Sequence, residues 1–486
     1  MSKFNLKNIN KTVNKSGNVA YKMDDKERLI TEVLTSFFNE NKFYGDNSSK
    51  IVEDIRKIAI NDSRFLANLT LYTRKEMHLR SISHVLAGEL SKSVEGKKYA
   101  KEVIKNIVER PDDMNEILAY YLNTFGKPIP NGMKKGLAES FLKFNEYSLA
   151  KNNKKGEVKL KDILCLTHPK AKNEEQNELF KRILEDRMKT PETWETILSA
   201  HGNNAETWGY LIENNLVGYM ALLRNLRNIV NAKPYNMDKV FEIIRSEERV
   251  RKSKQLPFRF YSAYKSIKDD KICEEKAYEA LEEAIKYSVK NIKKLKGRTL
   301  IAADVSGSMN FTISYRSNIK CSEIAVVMLA IANYICEDAI TVTFDDSLVL
   351  YDLDKSKGIL KNAESIYVGG GWTDLTLPIK YILNQKIKVD RIIMLSDNEI
   401  NSGYSRTCQA WVDKYRKDIN PDLWVHSIDM QGYGTQQFIG EKTNILAGWD
   451  EKVLEFIPRV EEGIGSLKDE IENYYFKEDY CKNIAQ

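Results

Sequence analysis

Residues 301–310 read IAADVSGSMN. A run of small and apolar residues closes on Asp304, and hydroxyls follow at Ser306 and Ser308. Thr299–Ala303 (TLIAA) reads as a short buried strand, and a carboxylate is an expensive residue on which to end one unless something there uses it. In an open α/β sheet, ligands bind outside the carboxyl ends of the strands. Asp304 stands where such a site would lie. Three oxygen side chains at i, i+2 and i+4 on a curling loop can face one point. That is the donor type hard cations such as Mg2+ prefer. The plainer readings are that Ser306 and Ser308 cap the next helix and Asp397 makes a turn, or that the loop keeps its shape without a metal.

Working outward, the texture after Gly297 is strand alternating with helix. Cys321–Cys336 (CSEIAVVMLAIANYIC) is a helix apolar on most of its surface, and ITVTF leads to Asp345. A glycine turn and a helix over Leu377–Asn384 follow, then strands at Arg391–Asp397 (RIIMLSD) and Leu423–Asp429 (LWVHSID). The pattern predicts a parallel sheet covered on both faces, an α/β doubly wound domain over 298–464. The tail, 465–486, is read as one more helix and a loose end. Thr373, just after three glycines, and Asp397, closing a strand, add two oxygen donors to Asp304, Ser306 and Ser308.

Upstream, residues 24–297 are read as all-α. Ile51, Ile55 and Ile58 recur at helical spacing, as do Leu216, Met220, Leu223, Leu226 and Val230. Breakers such as Pro130-Asn131-Gly132 and Gly202-Asn203-Asn204 punctuate the run. A solenoid of degenerate HEAT-like helical pairs fits, and at roughly 40 residues per pair it would hold about six or seven. Residues 1–23 are polar and basic without an apolar stretch, so they are read as a flexible arm and not as a secretory signal.

The chain has 486 residues, 42% of them hydrophobic, enough for more than one core. None of its apolar runs approaches the roughly 20 residues a membrane span needs. Its six cysteines include no CxxC pair, which suits reduced thiols in a cytoplasmic protein. The formal charge of +6 hides an asymmetry: +14 over residues 1–297 against −8 over 298–486. A basic half suggests a polyanionic partner. Lys151, Lys154, Lys155, Lys159 and Lys161 fall within eleven residues, and such clusters bind phosphate backbones in a salt-dependent way. On Ala221–Ala232 (ALLRNLRNIVNA), Leu222, Leu223, Leu226 and Ile229 fall on one side and Arg224, Arg227 and Asn228 on the other. Ser306 and Ser308 have no histidine near them in sequence, so no hydrolase is read and the chain is taken as a binding protein, not an enzyme.

The set DxSxS, then Thr373, then Asp397 resembles the metal-ion-dependent adhesion site of von Willebrand factor A domains. That likeness implies Ser306, Ser308 and Thr373 as ligands of a divalent cation. Asp304 and Asp397 would contact the ion directly or through water, and a carboxylate from a protein partner would complete it. KDILCLTH (161–168), ALLRNLRN (221–228), LPFRF (256–260), DVSGSM (304–309), GGWTDLTLP (370–378) and LSDNE (395–399), in this order, resemble the Ro autoantigen family, in which a helical TROVE module precedes an A domain. The resemblance covers roughly 24–464. It implies a ring of HEAT-like repeats closed by the A domain. It also implies binding of small structured noncoding Y RNAs on a basic outer face, and of the single-stranded 3′ ends of misfolded RNAs through a central hole. Exoribonucleases are the implied co-workers, and the expected form is a monomer. By position, Lys151, Lys155 and His168 match residues implicated in Y RNA binding, with Lys154, Arg224 and Arg227 beside them as basic candidates. Two departures stand out: a family tryptophan is Val158 here and an arginine is Lys155, which keeps charge but loses the bidentate fork. The competing reading is an adhesion or chaperone scaffold that works through the A-domain metal site.

Overall fold

The computed structural model describes residues 11–14, 17–35, 49–153, 156–189, 191–271, 274–290, 292–312, 319–400, 407–448, 452–463 and 465–474. The chain divides into two compact units, one of residues 1–24 and 194–466, the other of residues 25–193 and 467–486. The break in composition at Gly297 is therefore not where the compact units part, and the helical segment is shared between them.

The second unit is helical. It holds α1 (Asp25–Leu34), α2 (Ser49–Asn61), α3 (Ser63–Lys75), α4 (Ser81–Lys92), α5 (Lys97–Ile107), α6 (Pro111–Phe125), α7 (Asn131–Phe141), α8 (Glu146–Asn152), α9 (Leu160–Thr167) and α10 (Glu174–Leu184). Helix α3 packs on α5, α4 on α6, α5 on α7 and α7 on α9. Contact with the helix two places ahead is the mark of stacked helical pairs. Gly136 makes the α5–α7 approach possible: a Cβ there would lie 2.8 Å from the Lys101 carbonyl oxygen and 2.9 Å from Ile104 Cβ. A charged knot crosses the stack. Buried Asp113 accepts from Arg80 Nε at 2.5 Å and from the amides of Glu109 and Arg110. Burial works against its ionised form, but His84, Arg80 and Arg74 hold it well below the usual carboxylate range. Tyr120 donates to buried Glu89 at 2.7 Å, and Arg56 engages the same carboxylate from the other side.

The first unit joins further helices to the α/β domain. These are α11 (Trp194–His201), α12 (Ala205–Glu213), α13 (Tyr219–Arg224), α14 (Leu226–Ala232), α15 (Met237–Ile244), α16 (Glu247–Ser253), α17 (Pro257–Asp269) and α18 (Glu275–Ser288). Eighteen helices thus stand between Asp25 and Ser288 among the described residues, more and shorter than six or seven pairs would give. The reason is visible at Asn225: its side chain donates to the Ala221 carbonyl and its backbone leaves the helical region, so the expected single helix over 221–232 is two. Leu222, Leu223, Leu226 and Ile229 are buried as their spacing predicts, whereas Leu216 and Met220 are exposed.

The sheet of this unit has six strands in the order β5-β4-β3-β6-β7-β9. These are β3 (Leu295–Asp304), β4 (Cys336–Phe344), β5 (Leu348–Tyr351), β6 (Arg391–Ser396), β7 (Trp424–Asp429) and β9 (Thr443–Ala447). All run parallel except β5, which is antiparallel to β4. Helix α19 (Cys321–Ile335) is buried over nearly its whole length, as its apolar surface requires, against β3, β4 and β6 and against α20 (Ile359–Glu364) and α17. On the other face, α21 (Leu377–Asn384) and α22 (Cys408–Asp418) close a core that includes Leu300, Val342, Ile379, Val412 and Phe438. The helical segment grips this domain by polar contacts too: Lys265 pairs with Glu323 at 2.6 Å, Tyr264 donates to Glu364 at 2.6 Å, and Glu282 accepts the Leu360 amide at 2.9 Å. Helix α23 (Lys452–Glu461) covers the far end of the sheet.

Two features differ from the sequence reading. Residues 1–23 were expected to be a flexible arm. Residues 1–10 lie outside the described residues, but β1 (Lys11–Val13) and β2 (Val19–Lys22) form a hairpin whose second strand pairs with β8 (Thr435–Gln436). Gly17 sits in its turn at φ +81°, and Ala20 and Tyr21 are buried, so the segment is held by backbone pairing and by a small apolar contact. At the other end, α24 (Leu467–Glu472) belongs to the helical unit, where Asn68 donates to the Glu472 carbonyl at 2.7 Å and Tyr474 donates to Glu76 at 2.7 Å. Residues 475–486, expected to be a loose end, lie outside the described residues.

Candidate functional site

The register of the parallel strands brings their carboxyl ends to one level. Asp304 is opposite Phe344, and Ser396 is opposite Asp429. The chain leaves β3 for β4 on one side and later returns to β6 on the other, so the switch point of the sheet falls between β3 and β6. Asp304 and Asp397 flank it. Asp304, Ser306, Ser308 and Asp397 are brought together there, and Thr373 lies two residues beyond Gly371, on a loop that meets the loop of the serines. The Asp304 carboxylate accepts the Ser306 amide at 2.9 Å and the Ser396 hydroxyl at 2.6 Å. The Ser306 and Ser308 hydroxyls are 3.2 Å apart. The Gly307 amide donates to the Gly371 carbonyl at 2.9 Å, which ties the loop of Thr373 to the loop of the two serines. That approach is tight: a Cβ on Gly307 would lie 3.2 Å from the Gly370 carbonyl oxygen. Ser306 precedes and Ser308 lies within a single 3-10 turn, Gly307–Asn310, and the Ser306 side chain does not cap it by a hydrogen bond.

The electrostatics of the cluster call for positive charge. Asp304 and Asp397 are fully buried. Burial, helped by the neighbouring Asp345, pushes Asp304 up to about 6 despite the hydrogen bonds of Ser306 and Ser396. Asp397 is pushed well above the usual range by burial and then by Asp304. Thr373 Oγ1 and Asp397 Oδ2 are buried and have no hydrogen-bond partner. Buried polar atoms without partners cost free energy and invite an unplaced ligand. Among the described residues no group of three or more His, Cys, Asp and Glu side chains is placed to hold a metal. The donor set here is two carboxylates and three hydroxyls, which suits a hard divalent cation and not zinc.

Sequence reasoning passed over other residues here. Asp429 ends β7 as Asp397 follows β6; it is fully buried, one oxygen is unpartnered, and burial pushes it up to about 7. The signal was available, since a carboxylate also closes LWVHSID. Three aromatic side chains rim the loops of the site, Phe311 at 67%, Tyr367 at 77% and Trp372 at 69% exposure. Asn310 donates to the Gly369 carbonyl at 3.0 Å, so the loops carrying them touch.

The basic candidates are not gathered in this way. Lys151, on α8, is exposed, and its ammonium lies 5.9 Å from the ring centre of exposed Tyr147 one turn earlier. His168 is the exposed C-cap of α9, in the left-handed region at φ 47°. Lys154 and Lys155 lie outside the described residues. Lys161 is paired with Asp186 at 2.5 Å. Val158, which stands where the resemblance places a family tryptophan, is buried, and its carbonyl accepts from Asn115 at 2.8 Å. Arg224 ends α13 and is exposed, and Arg227, on α14, meets Asp270 at 3.5 Å. Lys151 and His168 belong to the helical unit, Arg224 and Arg227 to the other.

Comparison with known proteins adds the following. Residues 12–186 and 184–300 match the TROVE domain, and residues 298–458 match the Ro60 vWA domain. The chain is 29% identical over 145 residues to the RNA-binding protein RO60 of Deinococcus radiodurans, covering 29% of this chain and 27% of that protein. It is 21% identical over 325 residues to telomerase protein component 1 of Rattus norvegicus, covering 49% of this chain but only 12% of the relative. The crystal structure of the Deinococcus radiodurans RO (RSR) protein superimposes with a TM-score of 0.61 at 17% identity, over 84% of this chain and 93% of that one.

Proposed function

Since the chain belongs to the TROVE-domain family and carries a Ro60-type A domain behind that module, we propose that it is a cytoplasmic RNA-binding protein whose ligands are small structured noncoding RNAs of the Y RNA kind. Single-stranded 3′ ends of misfolded RNAs are the second ligand class, and the role is small-RNA quality control alongside an exoribonuclease. The observation that carries this is the family membership together with the charge split, +14 in the helical part against −8 beyond it. Lys151 beside Tyr147 supports it locally, offering a phosphate contact next to a stacking ring. The role is binding and positioning, without a chemical step of its own. Full-length protein washed at high salt should carry a discrete small RNA and an absorbance ratio well above that of protein alone. Protein that emerges free of nucleic acid and does not retain added structured RNA would refute the reading.

A second reading concerns the A domain. Asp304, Ser306, Ser308, Thr373 and Asp397 would hold a divalent cation, Mg2+, whose open position takes a carboxylate. The exposed Phe311, Tyr367 and Trp372 favour a protein segment there, in which an acidic side chain sits beside an apolar one. The nearby acidic residues Asp345 and Asp346 disfavour a polyanion at the same spot. The adhesion role and the RNA role then use different surfaces of one chain.

A further inference from the structure

The turn that follows Asp397 is held almost wholly by side chains. The Glu399 amide donates back to Asp397 Oδ1 at 3.0 Å, and the Asn398 amide donates to the Ser396 hydroxyl at 3.1 Å. Asn398 itself is at φ 61°, a left-handed conformation that asparagine adopts more readily than most residues. Its side-chain oxygen accepts from Ser427 at 3.1 Å and its carbonyl from Gln437 at 3.1 Å. One residue later, the Ile400 carbonyl accepts two donors from almost 400 residues away: Asn14 Nδ2 at 3.1 Å and Asn18 Nδ2 at 2.8 Å.

Those two asparagines sit at the tip of the β1–β2 hairpin, facing each other across its turn. The Asn14 amide donates to the Asn18 carbonyl at 2.8 Å, and the Asn18 amide donates to Asn14 Oδ1 at 2.7 Å. Asn14 is buried. The hairpin reaches the same turn by a second route. Tyr21 of β2 is in register with Gln436 of β8, and the next residue, Gln437, is the one that holds the Asn398 carbonyl. A segment with the composition of a loose arm is therefore fastened at two points to the three residues that follow a candidate cation ligand.

We propose that the N-terminal hairpin is a brace for the cation site, in which Asn14 and Asn18 act as positioning residues that fix the Asn398–Ile400 turn and thereby the placement of Asp397. Neither asparagine touches the cation. The inference rests on the cation reading given above. Two donors share one acceptor, so they are partly redundant: losing one leaves the carbonyl satisfied, and losing both frees it. The expected signature is therefore non-additive.

The test is calorimetric titration of full-length protein with Mg2+ alone, for wild type, Asn14→Ala, Asn18→Ala, the double alanine variant and the double aspartate variant. The aspartates keep an oxygen acceptor for the Asn18 amide but cannot donate to Ile400. Thr373→Ala serves as the variant that lacks a ligand. Each single alanine variant should bind Mg2+ within about twofold of wild type. Both double variants should bind at least about tenfold more weakly, with RNA affinity unchanged. Amide hydrogen exchange without the cation should quicken at Glu399 in the double variants while β3 amides exchange as in wild type, which a general loss of structure would not produce. If wild type binds Mg2+ and the double variants bind it equally well, the brace is refuted and the cation site stands. If exchange quickens throughout β3 and β6, the hairpin is only a fold-stabilising element and the inference fails. If wild type takes up no Mg2+, the cation reading falls and the brace with it.

Discussion

Thr373 Oγ1 and Asp397 Oδ2 are the atoms on which the cation reading turns, because each is buried without a partner. A cation there would satisfy both, and its charge would oppose the burial that pushes the Asp304 pKa up. Replacing Asp304 with Ala should abolish stoichiometric metal in purified protein, measured by elemental analysis, while the fold survives because Asp304 is the last residue of its strand and alanine keeps the backbone pairing. Equal metal in wild type and variant would overturn the assignment. Lys151 is the other residue to which the proposed function gives a role. Its Lys151→Ala variant should lower the slope of log affinity against log salt by about one for structured RNA, the loss of one phosphate contact. An unchanged slope in filter binding would reduce the lysine to a solvated group on α8. At this scale the apolar runs reveal the strand ends beside which Asp304 and Asp397 lie, whereas Thr373 stands on the loop between α20 and α21 and not at a strand end. The sequence was a poor guide to the basic residues. Charge alone does not say that Lys161 is engaged by Asp186 or that Arg227 meets Asp270.

Among the elements, β6 and α23 are joined by an ion pair whose contribution to stability depends on pH. Arg391, almost fully buried, makes a two-pronged contact with Glu461 at 2.7 and 2.8 Å, and His426 adds a third contact at 2.9 Å. Burial opposes ionisation of Glu461, but His426 and Arg391 prevail and lower it to about 2. The folded value is depressed, so the stability it contributes is fully present above the unfolded value of 4.5 and is lost as pH falls through about 2. Glu461→Gln should cost about 3 kcal/mol at neutral pH, because the guanidinium stays buried without its counter-charge. It should also flatten the acid limb of the stability curve between those two values. A variant as stable as wild type in denaturant melts at pH 7 would contradict this. The elements legible beforehand were those with unbroken apolar patterns, α19, α21 and the strands β3, β6 and β7. The hairpin β1–β2 was missed, although Asn14 and Gly17-Asn18 between Val13 and Val19 are turn residues flanked by strand formers. The two strands are only 3 and 4 residues long, and the partner strand β8 is over 400 residues distant, beyond any local reading.

Across the whole molecule, the composition boundary at Gly297 and the boundary of the compact units disagree for a physical reason. Helices α17 and α18 bury their apolar faces against α19 and α20, so the last helices of the TROVE module share a core with the A domain. A chain ending at residue 297 should therefore expose that face and aggregate or melt at a lower temperature than full-length protein, as light scattering and calorimetry would report. Monodisperse, equally stable protein would contradict it. The direct test of the central claim, that RNA is bound by the basic helical part and not through the cation site, is a fluorescence-anisotropy titration of one labelled stem-loop RNA between about 50 and about 200 mM salt. It would compare wild type, Lys151→Ala, and the double Asp304→Ala, Asp397→Ala variant. The account predicts saturable, steeply salt-dependent binding, a slope smaller by about one in the lysine variant, and affinity within about threefold of wild type in the aspartate variant. Binding that ignores salt, or a tenfold loss in the aspartate variant with unchanged circular dichroism, would contradict it.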